Sequence, residues 1–161
     1  MTTGTLRIVA ARLTDREAVT LVAQVQAEYT LLYGGPDHSL SADEALEPPG
    51  GAFFVGYVGA VPVAMGGWRR RSDVLAFGRP ESAEIKRMFV VPEARRRGHA
   101  RAVLRHLERT ARIAGAEAMV LETGTMQPEA IGLYVAEGYE RIDDFGHYAW
   151  SPLSRCYGKP L

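Results

Sequence analysis

The run Arg95-Arg96-Arg97-Gly98-His99-Ala100-Arg101 stands between a β-rich segment and a long amphipathic one, a placement suited to binding an anion. Where a chain turns into a helix, several amides are left unpaired at the positive end of the helix dipole, and phosphate oxygens are attracted there. Gly98 would let an anion approach the backbone, Ala100 is small enough for close packing, and the arginines could add charge-assisted bonds. A nucleotide P-loop would need an upstream glycine and a Lys-Ser/Thr pair after Gly98. A dinucleotide fingerprint would need two further glycines. Both are missing. Alone, the run reads equally as an anion cradle or as a helix start carrying a solvated arginine cluster.

Other reactive residue types carry less. The single cysteine, Cys156, cannot form an internal disulfide, which points to a reducing compartment. It has no local histidine partner and reads as a buried strand residue. His38, His99 and His106 show no metal-ligand spacing and are expected at the surface, so no metal site is predicted. A second basic run, Arg69-Arg70-Arg71, is read as part of a solvated loop over residues 69–80. His147 and Tyr148 fall in a connection that reads as a plain turn.

These residues need a scaffold. With 161 residues, 47% of them apolar and 24% charged, the chain suits one soluble globular domain spanning 1–161. Its 19 basic residues equal its 19 acidic ones, so no global field favours nucleic acid or anionic lipid. Neither a leader-like apolar stretch nor a membrane-spanning run occurs, and a cytoplasmic location is expected.

Residues 5–12 alternate as a first strand. A helix follows, opened by a capping box of Thr14 and Glu17 and closed at Gly34. A short second helix is predicted after Ser41, then a hairpin of strands over 52–57 and 61–68. Residues 84–91 form the next strand and residues 98–115 the strongest helix. On it Ala100, Val103, Leu104, Leu107, Ala111 and Ala114 make the buried face, and Glu108 and Arg112 an exposed ion pair. The strand over 118–123 should lie parallel to the one before that helix. Pro128 and Gly138 delimit a last helix, and strands over 140–144 and 154–159 finish the chain. The fold class is α/β, a mixed six- to seven-stranded sheet with helices on both faces.

Two segments carry a family resemblance. Glu84-Ile85-Lys86-Arg87-Met88-Phe89-Val90-Val91-Pro92 with the turn after it resembles the GNAT superfamily of N-acetyltransferases, whose Gln/Arg-x-x-Gly-x-Gly/Ala turn is matched by Arg95, Gly98 and Ala100. Ala130-Ile131-Gly132-Leu133-Tyr134-Val135-Ala136-Glu137-Gly138-Tyr139 is similar to that family's Ala-x-x-Leu-Tyr-x-x-x-Gly-Phe helix. Before Glu84 the resemblance rests on element order alone.

The resemblance implies acetyl-CoA as co-substrate, held at a splay between the two parallel strands. Backbone groups of Met88, Phe89 and Val90 would pair with the pantetheine arm, and one amide there would face the thioester carbonyl. Arg95, Arg96, Arg97, Gly98, His99, Ala100 and Arg101 would grip the pyrophosphate. Gln127 stands where the family often has asparagine. Tyr134 is implied as general acid, and also as a cofactor contact. Glu84 is the preferred base and Glu122 the alternative. The implied partner is an amine acceptor, small molecule or peptide, and a homodimer is plausible from family habit. A non-catalytic acyl-CoA-binding module and a small nucleotide-phosphate binder are the rival readings.

Overall fold

The computed structural model describes residues 4–38 and 46–161. The helix predicted after Ser41 begins outside the described residues. Seven strands form one sheet: β1 (Leu6–Ala10), β2 (Gly51–Val58), β3 (Val61–Arg71), β4 (Ser82–Val90), β5 (Ala118–Gly124), β6 (Glu140–Arg141) and β7 (Ser154–Pro160). Their order is β1-β2-β3-β4-β5-β7-β6. The described residues also form helices α1 (Arg16–Tyr33), α2 (His99–Ile113) and α3 (Pro128–Ala136), with a 3₁₀ turn at Pro92–Ala94.

Every strand pair is antiparallel except β4 with β5. That parallel pairing covers only residues 82–84 against 118–120, although both strands run on. They part because β4 is bent by a bulge: Met65 faces Phe89 but Gly67 faces Lys86, so an extra residue is taken up beside Gly66. Arg87, inside the bulge, has a φ of 58°. A residue with a side chain adopts that left-handed conformation only where its surroundings enforce it.

The periodicity of α2 is realised, with Val103, Leu104, Leu107 and Ala111 fully buried against the sheet. Trp68 on β3 donates its indole N–H to Thr110 Oγ1 of that helix at 3.0 Å. A second, smaller core joins Val74, Ala76, Ala118 and Val120 to Phe77, Ile142 and Phe145.

Several local expectations give way to tertiary contacts. No capping box forms: Asp15 is the α1 N-cap, and its carboxylate accepts instead from the Arg12 amide at 2.9 Å. Glu108 turns inward from Arg112 to accept from the Tyr139 hydroxyl at 2.8 Å and the Lys159 ammonium at 3.1 Å. Ala114 is exposed, because it is already the C-cap residue of α2. The strand over 140–144 shrinks to Glu140–Arg141. His106 is half-buried edge-on to Phe54, with ring centroids 4.4 Å apart, and burial lowers its pKa. His99 is buried too.

Candidate active site

The gap between β4 and β5 opens into a cavity of about 500 Å³. Ile85 and Leu121 point to one face of the sheet and Lys86 and Glu122 to the other, yet all four line it. The cavity therefore runs through the sheet where the strands have separated. Helix α1 supplies Tyr29 and Tyr33 to its wall, α3 supplies Ala130 and Tyr134, and the connection before β7 supplies Tyr148 and Trp150.

Tyr134 is buried, and its hydroxyl lies 3.9 Å from Met88 Sδ, a weak acceptor. Burial, reinforced by Tyr29, raises its pKa above the ordinary tyrosine value of 10.0. Tyr29 itself is pushed up to about 12 by burial and by the Asp37 carboxylate. Both phenols stay protonated at neutral pH.

The two candidate carboxylates sit in different settings. Glu84 is 1% exposed and does not line the cavity. Its Oε1 accepts from Arg69 Nε at 2.9 Å and Arg71 Nη1 at 2.7 Å, and its Oε2 lies 3.4 Å from Lys86 Nζ. Here the predicted solvated loop over residues 69–80 is corrected. Strand β3 extends through Arg71, since Arg69 and Arg71 share a face with Glu84 and Arg69 stands directly opposite it on β4. Glu122 lines the cavity, accepting from the Tyr148 amide at 3.2 Å and the Ser154 hydroxyl at 3.0 Å. Its carboxylate rests against the Gly146 backbone, where any Cβ would displace it.

On β4, the Val91 amide bonds the Val63 carbonyl, so alternation turns the Val90 groups away from β3. The Val90 carbonyl accepts from Arg95 Nε at 2.9 Å. Phe89 stands opposite Met65 and is buried in the core. Met88 lines the cavity.

None of Arg95, Arg96, Arg97, Gly98, His99, Ala100 or Arg101 lines the cavity; the turn stands past the end of β4. Arg95 clamps it to α1, its Nη2 donating to both carboxylate oxygens of Glu28 at 2.9 and 3.1 Å. Arg96 lies 3.7 Å from Glu129 on α3. The Arg95 contact thus ties the turn to α1, whereas the Arg96 pair is exposed and holds it only weakly. Arg96 and Gly98 have φ of 64° and 81°, and the first bond of α2 runs from the Ala102 amide to the Gly98 carbonyl. The amides of residues 98–101 consequently have no partner within the helix. Arg101 pairs with Glu137 at 2.7 Å, Arg97 is exposed, and Gln127 lines the cavity while accepting from the Tyr33 hydroxyl at 3.2 Å.

A sequence model of the Acetyltransferase (GNAT) family matches residues 20–139. The chain belongs to the GNAT family. It is 45% identical over 78 residues, 48% of its length and 51% of the relative's, to an IAA acetyltransferase of Azospirillum brasilense. Over 99 residues, 62% of its length and 39% of the relative's, it is 32% identical to human N-acetyltransferase 8. The matched regions thus span about half or less of these curated relatives. A Klebsiella pneumoniae structure assigned to the acyl-CoA N-acyltransferases superposes with a TM-score of 0.79 at 26% identity, covering 98% of both chains. The GNAT domain of S. lividans PAT superposes with a TM-score of 0.75 at 20% identity over 98% of this chain and 92% of that one, a likeness of fold.

The sequence motifs indicated Tyr134, Gln127, Met88 and Glu122, all of which meet at the cavity. They did not indicate Asp37, Arg87 or Tyr148 as a group. The Tyr148 hydroxyl donates to Asp37 Oδ1 at 3.0 Å and accepts from the His38 amide at 2.8 Å. The i,i+4 spacing of Tyr29 and Tyr33 is a signal from which part of the aromatic wall could have been found.

Proposed function

We propose that the protein is an acetyl-CoA-dependent N-acetyltransferase acting on a primary amine by direct attack in a ternary complex. The observation that supports this most is the placement of Tyr134 and Glu122 in one cavity between the parted strands β4 and β5. The fit to the co-substrate rests on two features. Among the described residues the β5-side edge of β4 has no strand partner beyond Glu84, so the Met88 backbone and the Val90 amide would hold the pantetheine arm. The amides of residues 98–101 would take the pyrophosphate. When bound, acetyl-CoA supplies the activated acetyl group.

The chain's own residues then do the proton work. Glu122 takes a proton from the acceptor ammonium, and the freed nitrogen bonds to the acetyl carbonyl carbon. The Met88 amide would stabilise the oxygen's developing charge. Tyr134 donates its proton to the sulfur as the carbon–sulfur bond breaks. The second nitrogen proton returns to Tyr134 through solvent, and Glu122 releases its own to bulk water.

Thiol release from acetyl-CoA against a diverse amine panel tests the reading. CoA binding without thiol release for any amine would leave a binding module instead. Two variants probe the parts. Gly98 has open space around a would-be Cβ but a φ of 81°, so Gly98→Ala should pull the neighbouring amides out of line. At about 1–2 kcal/mol of strain, CoA affinity measured by calorimetry should fall about 5- to 30-fold. Cys156 is fully buried, and burial pushes its thiol up to about 11. Cys156→Ser should therefore retain most of its turnover; a folded but inactive variant would point to a covalent acetyl-enzyme.

A further inference from the structure

Arg87 takes no part in the proton transfers above, yet its setting is costly in three respects. Its backbone is held at a φ of 58°. Its side chain is only 8% exposed. And its Nη1 is buried with no hydrogen-bond partner among the described residues. The carboxylate that faces it, Asp37 Oδ2, lies 3.5 Å away, while Asp37 Oδ1 is engaged by the Tyr148 hydroxyl. Buried polar groups are nearly always satisfied, and a guanidinium left short of an acceptor marks a place where one is expected. The planar fork of arginine matches a carboxylate in two parallel bonds.

The rest of the cavity gives that acceptor a context. Arg87 shares it with the carboxylates of Asp37 and Glu122, with the rings of Tyr29, Tyr33 and Trp150, and with Lys86, whose ammonium lies 3.4 Å from Glu84. A cation short of a partner beside two carboxylates is complementary to a molecule bearing opposite charges a few bonds apart. A simple amine would pair with the Glu122 carboxylate but bring no acceptor for the guanidinium.

We infer that the acceptor is an amine carrying its own carboxylate, an amino acid, with Arg87 gripping the carboxylate and presenting the amine towards Glu122. This rests on the acetyltransferase reading, and the reaction is the one balanced above. Placing Arg87 in the β4 bulge makes one distortion serve two ends, parting the strands and aiming the guanidinium between them.

The test compares amino acids with their C-terminal amides and their decarboxylated amines in the thiol-release assay. Wild-type protein should favour the free acid in kcat/KM by about 10- to 100-fold, the span of a charge-assisted pair. Arg87→Asn, chosen because asparagine tolerates left-handed backbone, should abolish most of that ratio, chiefly through KM. Arg87→Lys keeps the charge without the fork and should restore part of it; it carries the test if the asparagine variant does not fold. Equal use of acid, amide and amine by wild type would overturn the inference, as would a uniform loss for all three in the variants.

If no amine supports thiol release, the acetyltransferase reading fails and the carboxylate grip is read by binding. Ligand-observed NMR with N-acetyl amino acids and their amides should then show the acids bound about tenfold more tightly, and only when Arg87 is present. Equal binding of acid and amide would overturn it.

Discussion

Tyr134→Phe is expected to lower kcat by about 10²- to 10³-fold with CoA affinity nearly unchanged, the usual range for loss of a positioned general acid. The substitution removes one hydroxyl from a buried ring and leaves its packing against Tyr139, with centroids 5.6 Å apart, in place. Among the described residues that hydroxyl meets only a thioether, at 3.9 Å, so its proton is not committed to a strong acceptor there. Burial raises its pKa above 10.0, so it should remain a donor through the pH at which an exposed tyrosine ionises. The wild-type rate should accordingly not decline through ionisation of Tyr134 near pH 10. Steady-state thiol release combined with CoA titration checks both halves. A kcat within about twofold of wild type would remove Tyr134 from the chemistry.

Glu122→Gln and Glu84→Gln should fail in different ways. Glutamine at 122 keeps an acceptor for the Tyr148 amide and the Ser154 hydroxyl, so the site survives while the proton acceptor is lost. Turnover should fall about 10²-fold or more while Tm stays near that of wild type. Glutamine at 84 leaves Arg69, Arg71 and Lys86 around a neutral group in a site that is 1% exposed. Breaking such a buried network costs about 3 kcal/mol, which lowers Tm by about 6–12 °C in a domain of this size. Thermal melts and turnover measurements, run side by side, distinguish the two. Should Glu84→Gln lose its rate with an unchanged Tm while Glu122→Gln keeps its own, the base is Glu84.

Much of the scaffold was readable from sequence because its signals are local. The apolar spacing of Val103, Leu104, Leu107 and Ala111 specifies a helix face whatever it packs on. Pro128 and Gly138 mark the limits of α3, the first by its fixed φ and the second by its φ of 93°. Cys156 was recognised as a buried strand residue, and it is fully buried on β7. The capping box failed for an equally local reason: Asp15, between its two members, offered a carboxylate to Arg12 and moved the helix start by one residue.

The Arg95 to Arg101 turn, the two candidate glutamates and Tyr134 were all legible in the sequence, because a motif records residue types and separations. Their division of labour was not. Glu84 became the centre of an ion cluster because the β3–β4 register sets Arg69 opposite it, and Glu122 became the cavity carboxylate because β5 diverges beyond residue 120. Asp37 and Tyr148 meet across 111 positions of chain. Backbone preferences are settled within a few residues, so sequence alone conveys them. Which charge faces which, and which donor is left without an acceptor, depends on how distant segments are brought together, and that was decided only in the folded chain.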